Sequence, residues 1–398
     1  MKFFTALFGS HLLRPRHYLG GAVVLSLIVT VYSLSFNAVF GSGEPIQWHV
    51  LWQDVYLHQV LLFSFGQACL SAILSILIGI LFARAFFYQS FKGKSFLLQV
   101  LSVTFVLPSL VAIFGILGVY GVSGWLAKCY NYIGLTWQPN IYGLPGILIA
   151  HLFFNIPLAT RIFLQSFYAI PNQQRQLAAQ LNIRGWQFIR WLELPYLRQQ
   201  LLPSFMLIFM LCFTSFAIVL VLGGGPKFTT IEVAIYQAII FDFDLPKAAL
   251  FALLQFIFCF ILFGLSSVFT QLPETHLDFK ELWLPKQSSA VKCWQVFCII
   301  AVSIFILLPL VNVVISALSS NAIFSAWKNP QLWQAIGYSF SIAPVSALMS
   351  LLFALSILQL SRRLNWLYFT QLSNCLLNTS MMVLSIPCLL YTSDAADD

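Results

Sequence analysis

Two polar side chains interrupt one of the long apolar stretches of this sequence. His151 and Asn155 stand four residues apart within Ile141–Phe167, with Pro157 just beyond them. On a helix this spacing puts both side chains on one face. Polar groups in apolar surroundings are costly and are often functional. The pair therefore predicts either a polar lining of a translocation path or hydrogen bonds to a neighbouring helix, and the sequence leaves both open.

A second candidate site lies in the segment that follows Leu222. It is formed by Gly223, Gly224, Gly225, Asp242 and Asp244. Three successive glycines permit backbone angles that other residues avoid, which favours a re-entrant loop. The segment is predicted either to form a gate and docking surface for a partner, with carboxylates that could meet a cationic ligand, or to be a turn and a short interfacial helix with solvated carboxylates.

Other chemistry finds little support in the residue pattern. The eight cysteines contain no CxxC pair and are interpreted as small packing residues, and the six histidines are scattered. We therefore expect no metal site, no catalytic residues and no cofactor. The sequence also contains no GxxxxGK[ST] phosphate loop, so any ATP hydrolysis must be performed by another chain.

The elements that position these residues are predicted to be membrane helices. Of 398 residues, 60% are hydrophobic and only 8% are charged, against roughly 25% charged in a soluble domain. The mean hydropathy is +0.88. A bilayer core needs about 20 apolar helical residues. The stretches that approach this length are Tyr18–Phe40, Leu57–Ala83, Phe96–Gly121, Ile141–Phe167, Leu201–Leu222, Ala248–Gln271, Cys293–Leu318, Gln334–Leu360 and Leu367–Leu390.

The positions of the basic residues predict the orientation of these spans. With the N-terminus in the cytoplasm, the outer loops hold only Lys128, Lys227, Lys247 and Lys328. Arg161 lies within a span, and all other Lys and Arg residues fall on the cytoplasmic side. This asymmetry satisfies the positive-inside rule. The net charge of +8 therefore reflects topology, and no nucleic-acid partner is expected.

An internal repeat predicts two related halves. The segment that begins LHQVLLFSFGQACLSAILSIL at Leu57 recurs as LWQAIGYSFSIAPVSALMSLL at Leu332. The register pairs Ser64 with Ser339 and Ser71 with Ser346. We therefore expect a first half at residues 1–291 and an incomplete second half at 292–387. The acidic tail at 388–398 is interpreted as non-native, because its aspartates cannot comfortably complete a bilayer crossing.

The segment at 169–200 is long for a membrane loop. Gln173–Leu181 is predicted to be a short helix that Asn182 ends in a left-handed conformation. A second helix is predicted from Gly185 to Pro195, which terminates it. Two short amphipathic helices joined by a tight turn could dock to a partner protein or lie among lipid headgroups.

This segment resembles the EAA loop of ABC importer permeases. Ala178, Leu192, Leu194 and Pro195 match the family pattern, and the QRQLAAQL stretch is similar to that of thiamine permeases. The string LGGGP…TTIE.AIYQ from Leu222 is the most specific similarity, and the resemblance extends over Trp52 to about Leu272.

The resemblance implies an all-α integral membrane protein of the ABC importer permease type, in the bacterial inner membrane. It implies a homodimeric ABC ATPase and a periplasmic substrate-binding protein as partners, and thiamine or its phosphates as substrate. Permeases for iron(III), sulfate or polyamines are alternatives, and a secondary transporter is a more distant one. The residues expected to couple to the ATPase are Gln176, Leu177, Ala178, Ala179, Asn182, Arg184, Gly185, Trp186, Arg190, Leu194 and Pro195.

Overall fold

The computed structural model describes residues 20–27, 29–30, 33–34, 53–104, 106–134, 140–269, 283–285, 287–319 and 327–364. The regular structure of these residues is helical, as predicted for an all-α membrane protein. We number the helices from residue 53 onward. They are α1 Val55–Tyr88, α2 Lys94–Val103, α3 Ser109–Tyr120, α4 Trp125–Tyr132, α5 Leu144–Tyr168, α6 Asn172–Gln180, α7 Trp186–Phe188, α8 Leu194–Phe213, α9 Phe216–Leu222, α10 Ile231–Ile240, α11 Leu245–Phe269, α12 Ser289–Ser319 and α13 Pro330–Leu364.

Within the described residues, six helical stretches are long and apolar enough to cross a membrane. They are Val55–Tyr88, Ser109–Tyr132, Leu144–Tyr168, Trp186–Phe213, Ser289–Ser319 and Pro330–Ile357. The predicted span at 248–271 corresponds to α11, Leu245–Phe269, in which Pro246–Leu262 forms a shorter apolar stretch. The predicted first span is described only in part, and the predicted ninth span lies outside the described residues.

Two predicted spans are each divided into two helices. The span Phe96–Gly121 contains α2 and α3, with Pro108 directly before α3. Pro108 has no N–H to donate, and its ψ of 133° lies outside the helical region, so the helix is interrupted at this proline. The span Leu201–Leu222 is likewise divided, because α8 ends at Phe213 and α9 begins at Phe216.

The centre of the bundle is built by α1, α5 and α8. Small residues allow α1 and α5 to approach closely, as is typical of membrane helices. A Cβ added at Gly79 would lie 2.5 Å from the Cβ of Ala159 and 3.3 Å from the backbone nitrogen of Thr160. Ala68 and Ala72 of α1 are fully buried. Because the backbones of α1 and α5 are this close, the side chains packed between the two helices have little room to change conformation.

A similar close approach joins α12 to α3. A Cβ on Gly115 would lie 2.6 Å from the carbonyl oxygen of Pro309, and one on Gly118 would collide with the amide of Asn312. The Tyr120 hydroxyl donates to the Phe305 carbonyl at 3.1 Å. The helix that opens the predicted second half therefore packs directly against a helix of the predicted first half.

The backbone contacts divide the chain into two compact units. One comprises residues 47–234 and 268–317, and the other comprises residues 1–46, 235–267 and 318–398. The first unit contains α1 to α9 and most of α12. The internal repeat predicts a division of the sequence into two halves at residue 291. The compact units do not test that division, which stays a prediction.

Candidate functional site

The helix pair of the loop, residues 172–193, begins with α6 and a tight turn. Asn182 has φ = 53°, so the predicted left-handed conformation is confirmed. The N–H of Ile183 donates to the Ala178 carbonyl at 2.9 Å, and the N–H of Asn182 donates to the Ala179 carbonyl at 3.1 Å. These two hydrogen bonds form a Schellman motif, which satisfies carbonyls at the end of α6 and stops the helix.

The prediction that Pro195 ends the second helix is wrong. Helix α7 continues through a π turn, Ile189–Glu193, directly into α8, which has Pro195 in its first turn. In the π turn the N–H of Leu194 donates to the carbonyl of Ile189, five residues earlier. An α-helical turn would bring the proline ring against the carbonyl four residues back. The wider turn lets the helix pass Pro195 without a break.

The helix pair buries one apolar face and exposes another. Ala178 and Leu192 are buried, and Ala179 is half-buried. The exposed apolar side chains are large: Leu177, Leu181, Trp186, Trp191 and, to a lesser degree, Leu194. Trp186 is 72% exposed and Leu181 is 63% exposed. We call these five residues the apolar tip.

Polar and charged residues lie beside the apolar tip. Gln176, Arg184 and Arg190 are exposed, and the Arg190 guanidinium lies over the ring of Trp191 at 5.4 Å. Gly185 has φ = 57°, in the left-handed region, and a Cβ there would meet no atom within 4 Å. The residues expected to couple to a partner therefore lie in the helix pair, except Leu194 and Pro195, which form the first turn of α8, and Ala178 faces inward.

Arg175 of α6, counted from the sequence only among the cytoplasmic basic residues, is fully buried. Its Nη2 donates to the carbonyl of Phe167 in the last turn of α5, and its guanidinium lies over the ring of Phe87 at 4.6 Å. Burial lowers the pKa of Arg175, and the negative charge of Glu193 partly offsets this. A cation at a helix C-terminus is stabilised by the exposed carbonyls there. Arg175 therefore ties α6 to the end of α5.

Glu193, the last residue of the π turn, is fully buried and ties the helix pair to α1. Its Oε2 accepts from Nε of Arg84 at 2.8 Å, and its Oε1 accepts from the hydroxyl of Tyr88 at 2.6 Å. Sequence reasoning missed this contact. One signal was available: Glu193 is the sole acidic residue among four arginines in the segment 169–200.

Inside the bundle, His151 joins three helices through its two ring nitrogens. Nδ1 lies 2.9 Å from the hydroxyl of Ser71 on α1, and Nε2 lies 2.7 Å from the hydroxyl of Ser215. Ser215 occupies the break between α8 and α9 and donates its single proton to the carbonyl of Cys212 at 2.9 Å. With the proton on that bond, we assign Nε2–H as the donor to Ser215 and Nδ1 as the acceptor from Ser71. Ser215 was not predicted from the sequence.

Asn155 lies one turn away and also bonds a neighbouring helix. Its Nδ2 donates to the sulfur of Cys212 at 3.2 Å. His151 and Asn155 also share a cavity of about 190 Å³. Its lining is Ser109, His151, Phe154, Asn155, Leu211 and Ile218. The two sequence-based alternatives thus coexist, because the side chains bond neighbouring helices and line a cavity.

The glycine segment lies at the opposite end of α1 from Arg84. Gly224 and Gly225 have φ values of 71° and 133°. The chain then turns back through a 3₁₀ turn, Pro226–Phe228, whose phenyl ring packs on Phe63 of α1 with ring centroids 5.6 Å apart. The N–H of Gly143 donates to the Leu222 carbonyl at 2.7 Å, which fixes the segment to the start of α5.

Asp242 and Asp244 belong to the other compact unit and are exposed. Asp244 accepts from the N–H of Lys247 at 3.0 Å and so caps the start of α11. This contact gives Asp244 a structural role, independent of any ligand.

Comparison with known proteins shows the family. Residues 75–272 match the model of the binding-protein-dependent transport system inner membrane component. The chain is 55% identical to the thiamine transport system permease protein of Haemophilus influenzae, over 96% of this chain and 71% of that protein. It is 40% identical to the proteins of the same name from Salmonella typhimurium and Escherichia coli, over 94% of this chain and 70% of each protein.

A solved structure supports the fold. A chain of a bacterial alginate ABC transporter, crystallised with a periplasmic protein that carries an alginate pentasaccharide, matches with a TM-score of 0.55 and 13% identity. The match covers 65% of this chain and 95% of that chain. With these relatives, the present chain belongs to the family of binding-protein-dependent transport system inner membrane components, among the thiamine transport system permease proteins.

Proposed function

We propose that this chain is the transmembrane permease subunit of an ATP-driven bacterial importer that moves thiamine or its phosphates across the inner membrane. The observation that carries this proposal is the 55% identity, over 96% of the chain, to a thiamine transport system permease protein. A sulfate transport system permease protein is only 24% identical, over 54% of this chain, which favours thiamine over sulfate.

The helix pair at 172–193 is the proposed docking element for a homodimeric ATPase. The apolar tip is large, exposed and flanked by Arg184 and Arg190, as expected for a patch that another protein covers. Buried contacts of Glu193 and Arg175 also attach the pair to α1 and α5, so a displacement of the pair would be transmitted to these helices. Since the ATPase works in the cytoplasm, the helix pair is proposed to lie on the cytoplasmic side, and the distribution of basic residues supports a cytoplasmic N-terminus as well.

The cavity beside His151 and Asn155 is proposed as part of the transit path. Its lining combines an aromatic ring, Phe154, with neutral polar groups and contains no carboxylate. Such a lining gives a small cationic substrate a weak site, through the face of the ring and the amide, from which it can leave again. The glycine segment at 223–225 is proposed as the outer surface that meets the periplasmic binding protein.

The test is uptake of radiolabelled thiamine into proteoliposomes that hold this chain with its ATPase, the binding protein and ATP. The double variant Leu181→Ser/Trp186→Ser changes only exposed side chains of the apolar tip. We expect it to insert normally, to lose co-purification with the ATPase and to lose uptake by about tenfold or more, since buried aromatic anchors dominate interface energies.

The matched control is Tyr132→Ser, which alters a side chain that is 94% exposed on α4. It should leave both readings unchanged. Asn155→Leu should bind the ATPase normally but slow uptake, because it removes a polar group from the cavity. Full uptake by the double variant would exclude the docking role, and absence of thiamine uptake by the unmodified complex would exclude the substrate.

A further inference from the structure

We propose that Glu193 is a positioning residue, which couples movement of the helix pair to α1 through its paired contacts with Arg84 and Tyr88. This inference rests on the proposed function and assigns a role to a buried ionic contact at the cytoplasmic end of the bundle. Glu193 lies outside the apolar tip and outside the cavity.

The geometry of the carboxylate leaves it no freedom. Each oxygen has its own donor, the Arg84 guanidinium at 2.8 Å and the Tyr88 hydroxyl at 2.6 Å. The two donors are themselves stacked, with the guanidinium carbon 5.1 Å from the centre of the Tyr88 ring. Donors from successive turns of α1 therefore hold both oxygens, which fixes the distance and the rotation of the carboxylate relative to that helix.

The position of Glu193 in the chain makes this contact a mechanical link. It closes the π turn that joins the helix pair to α8, and the helix then runs without a break to Phe213. Near its far end, the carbonyl of Cys212 accepts from Nε2 of Gln67 on α1 at 3.0 Å, and its sulfur accepts from Asn155 on α5. A displacement of the helix pair thus reaches the wall of the cavity along one continuous helix.

A second attachment makes the linkage rigid. Arg175 holds α6 to the last turn of α5 through the Phe167 carbonyl. The helix pair is therefore fastened to the cytoplasmic ends of the same two helices that carry Ser71 and His151. With only one fastening the pair could pivot, whereas two fastenings oblige α1 and α5 to move with it.

A charged contact suits this role better than an apolar one. The side chain of Glu193 is fully buried, and that of Arg84 is 21% exposed, so the pair bears a desolvation cost that a packed leucine would avoid. An apolar contact tolerates sliding of one helix along another, since dispersion is not directional. A carboxylate with two fixed donors tolerates none, and register is the best-attested use of a buried ion pair.

The experiment separates transport from hydrolysis in proteoliposomes that hold the complete complex. For Glu193→Gln we expect thiamine uptake per ATP hydrolysed to fall about tenfold, because a hydrogen bond to a charged group is lost, while ATPase binding and hydrolysis change less than about twofold. Arg84→Gln should show the same uncoupling. The double variant should be no worse than either single variant, since both remove one interaction.

The control is Arg198→Gln, which changes an exposed arginine of α8 and should leave uptake per ATP unchanged. If Glu193→Gln fails to insert, Glu193→Asp replaces it in the test. This variant keeps the charge but shortens the side chain, and it should also lower thiamine uptake per ATP hydrolysed. Equal losses of uptake and hydrolysis, or additive effects in the double variant, would overturn the proposal. Absence of thiamine uptake by the unmodified complex would instead reject the proposed function itself.

Discussion

The two copies of the internal repeat carry similar residues in different surroundings. In α1, Ser64 and Ser71 are fully buried against other helices. Their counterparts in α13, Ser339 and Ser346, are exposed among the described residues. The sequence pattern thus defines the face of a helix that can be buried, and the neighbouring helices decide whether it is.

The serine hydroxyls make the difference concrete. Ser64 Oγ donates to the Val60 carbonyl at 2.6 Å, and Ser339 Oγ donates to the Ala335 carbonyl at 2.9 Å, each four residues back. In α1 the same oxygen also accepts from the N–H of Ile231 at 3.0 Å. In both copies the hydroxyl donates its proton to a carbonyl of its own helix. A contact with another part of the chain, as in α1, therefore uses the oxygen as an acceptor.

Equivalent substitutions in the two copies should differ most in their effect on the free energy of unfolding at a position of close helix contact. Gly79→Leu would force α1 away from Ala159, and we expect it to lower the free energy of unfolding by about 3 kcal/mol. The equivalent change in the second copy, Ala354→Leu, alters an exposed position and should change it by less than about 0.5 kcal/mol. Unfolding in mixed detergent micelles measures both. Equal effects would mean that the two helix faces are equally packed.

A smaller difference is expected at the first serine pair. Ser64→Ala leaves the N–H of Ile231 without its acceptor in a buried position, which should cost about 1–2 kcal/mol. Ser339→Ala removes only a bond within its own helix, so its effect should stay below about 0.5 kcal/mol. Amide hydrogen exchange at Ile231 should accelerate in the first variant. Unchanged exchange there would contradict the assigned acceptor.

The smallest difference is expected at the second serine pair. Ser71→Ala removes the donor to Nδ1 of His151, and single hydrogen bonds between membrane helices contribute only about 0.6 kcal/mol on average. Ser346→Ala should be neutral within error. Nitrogen NMR shifts of the His151 ring provide a sharper measurement, because loss of the Ser71 proton should alter Nδ1 and leave Nε2 nearly unchanged. A shift typical of a protonated nitrogen at Nδ1 of the unmodified chain would contradict the assigned direction of the hydrogen bonds.

Features set by local backbone chemistry were predictable from the sequence. The left-handed turn at Asn182 follows from the residue type, and the break before α3 follows from Pro108. The uninterrupted passage through Pro195 was not predictable, because it depends on a π turn that no local pattern indicates. Glu193 and Ser215 were missed for a related reason. Their partners lie on distant parts of the chain, at Arg84 and His151, and helical periodicity cannot pair residues across such separations.

The π turn at 189–193 accommodates one extra residue within the helix that runs from Trp186 to Phe213. A π turn contains one residue more than the α turn it replaces. Deleting the extra residue there would restore an α turn and leave the preceding helix facing nearly the same way. Deleting a residue from the α-helical part, Leu194–Phe213, would instead rotate the preceding helix by about 100° and draw it in by about 1.5 Å. The apolar tip would then point away from its present direction, and Arg175 would lose the end of α5. The number of residues from Leu194 to Phe213 thus sets the direction in which the apolar tip points. Single-residue insertions or deletions in this part of the helix should therefore be tolerated far less readily than substitutions.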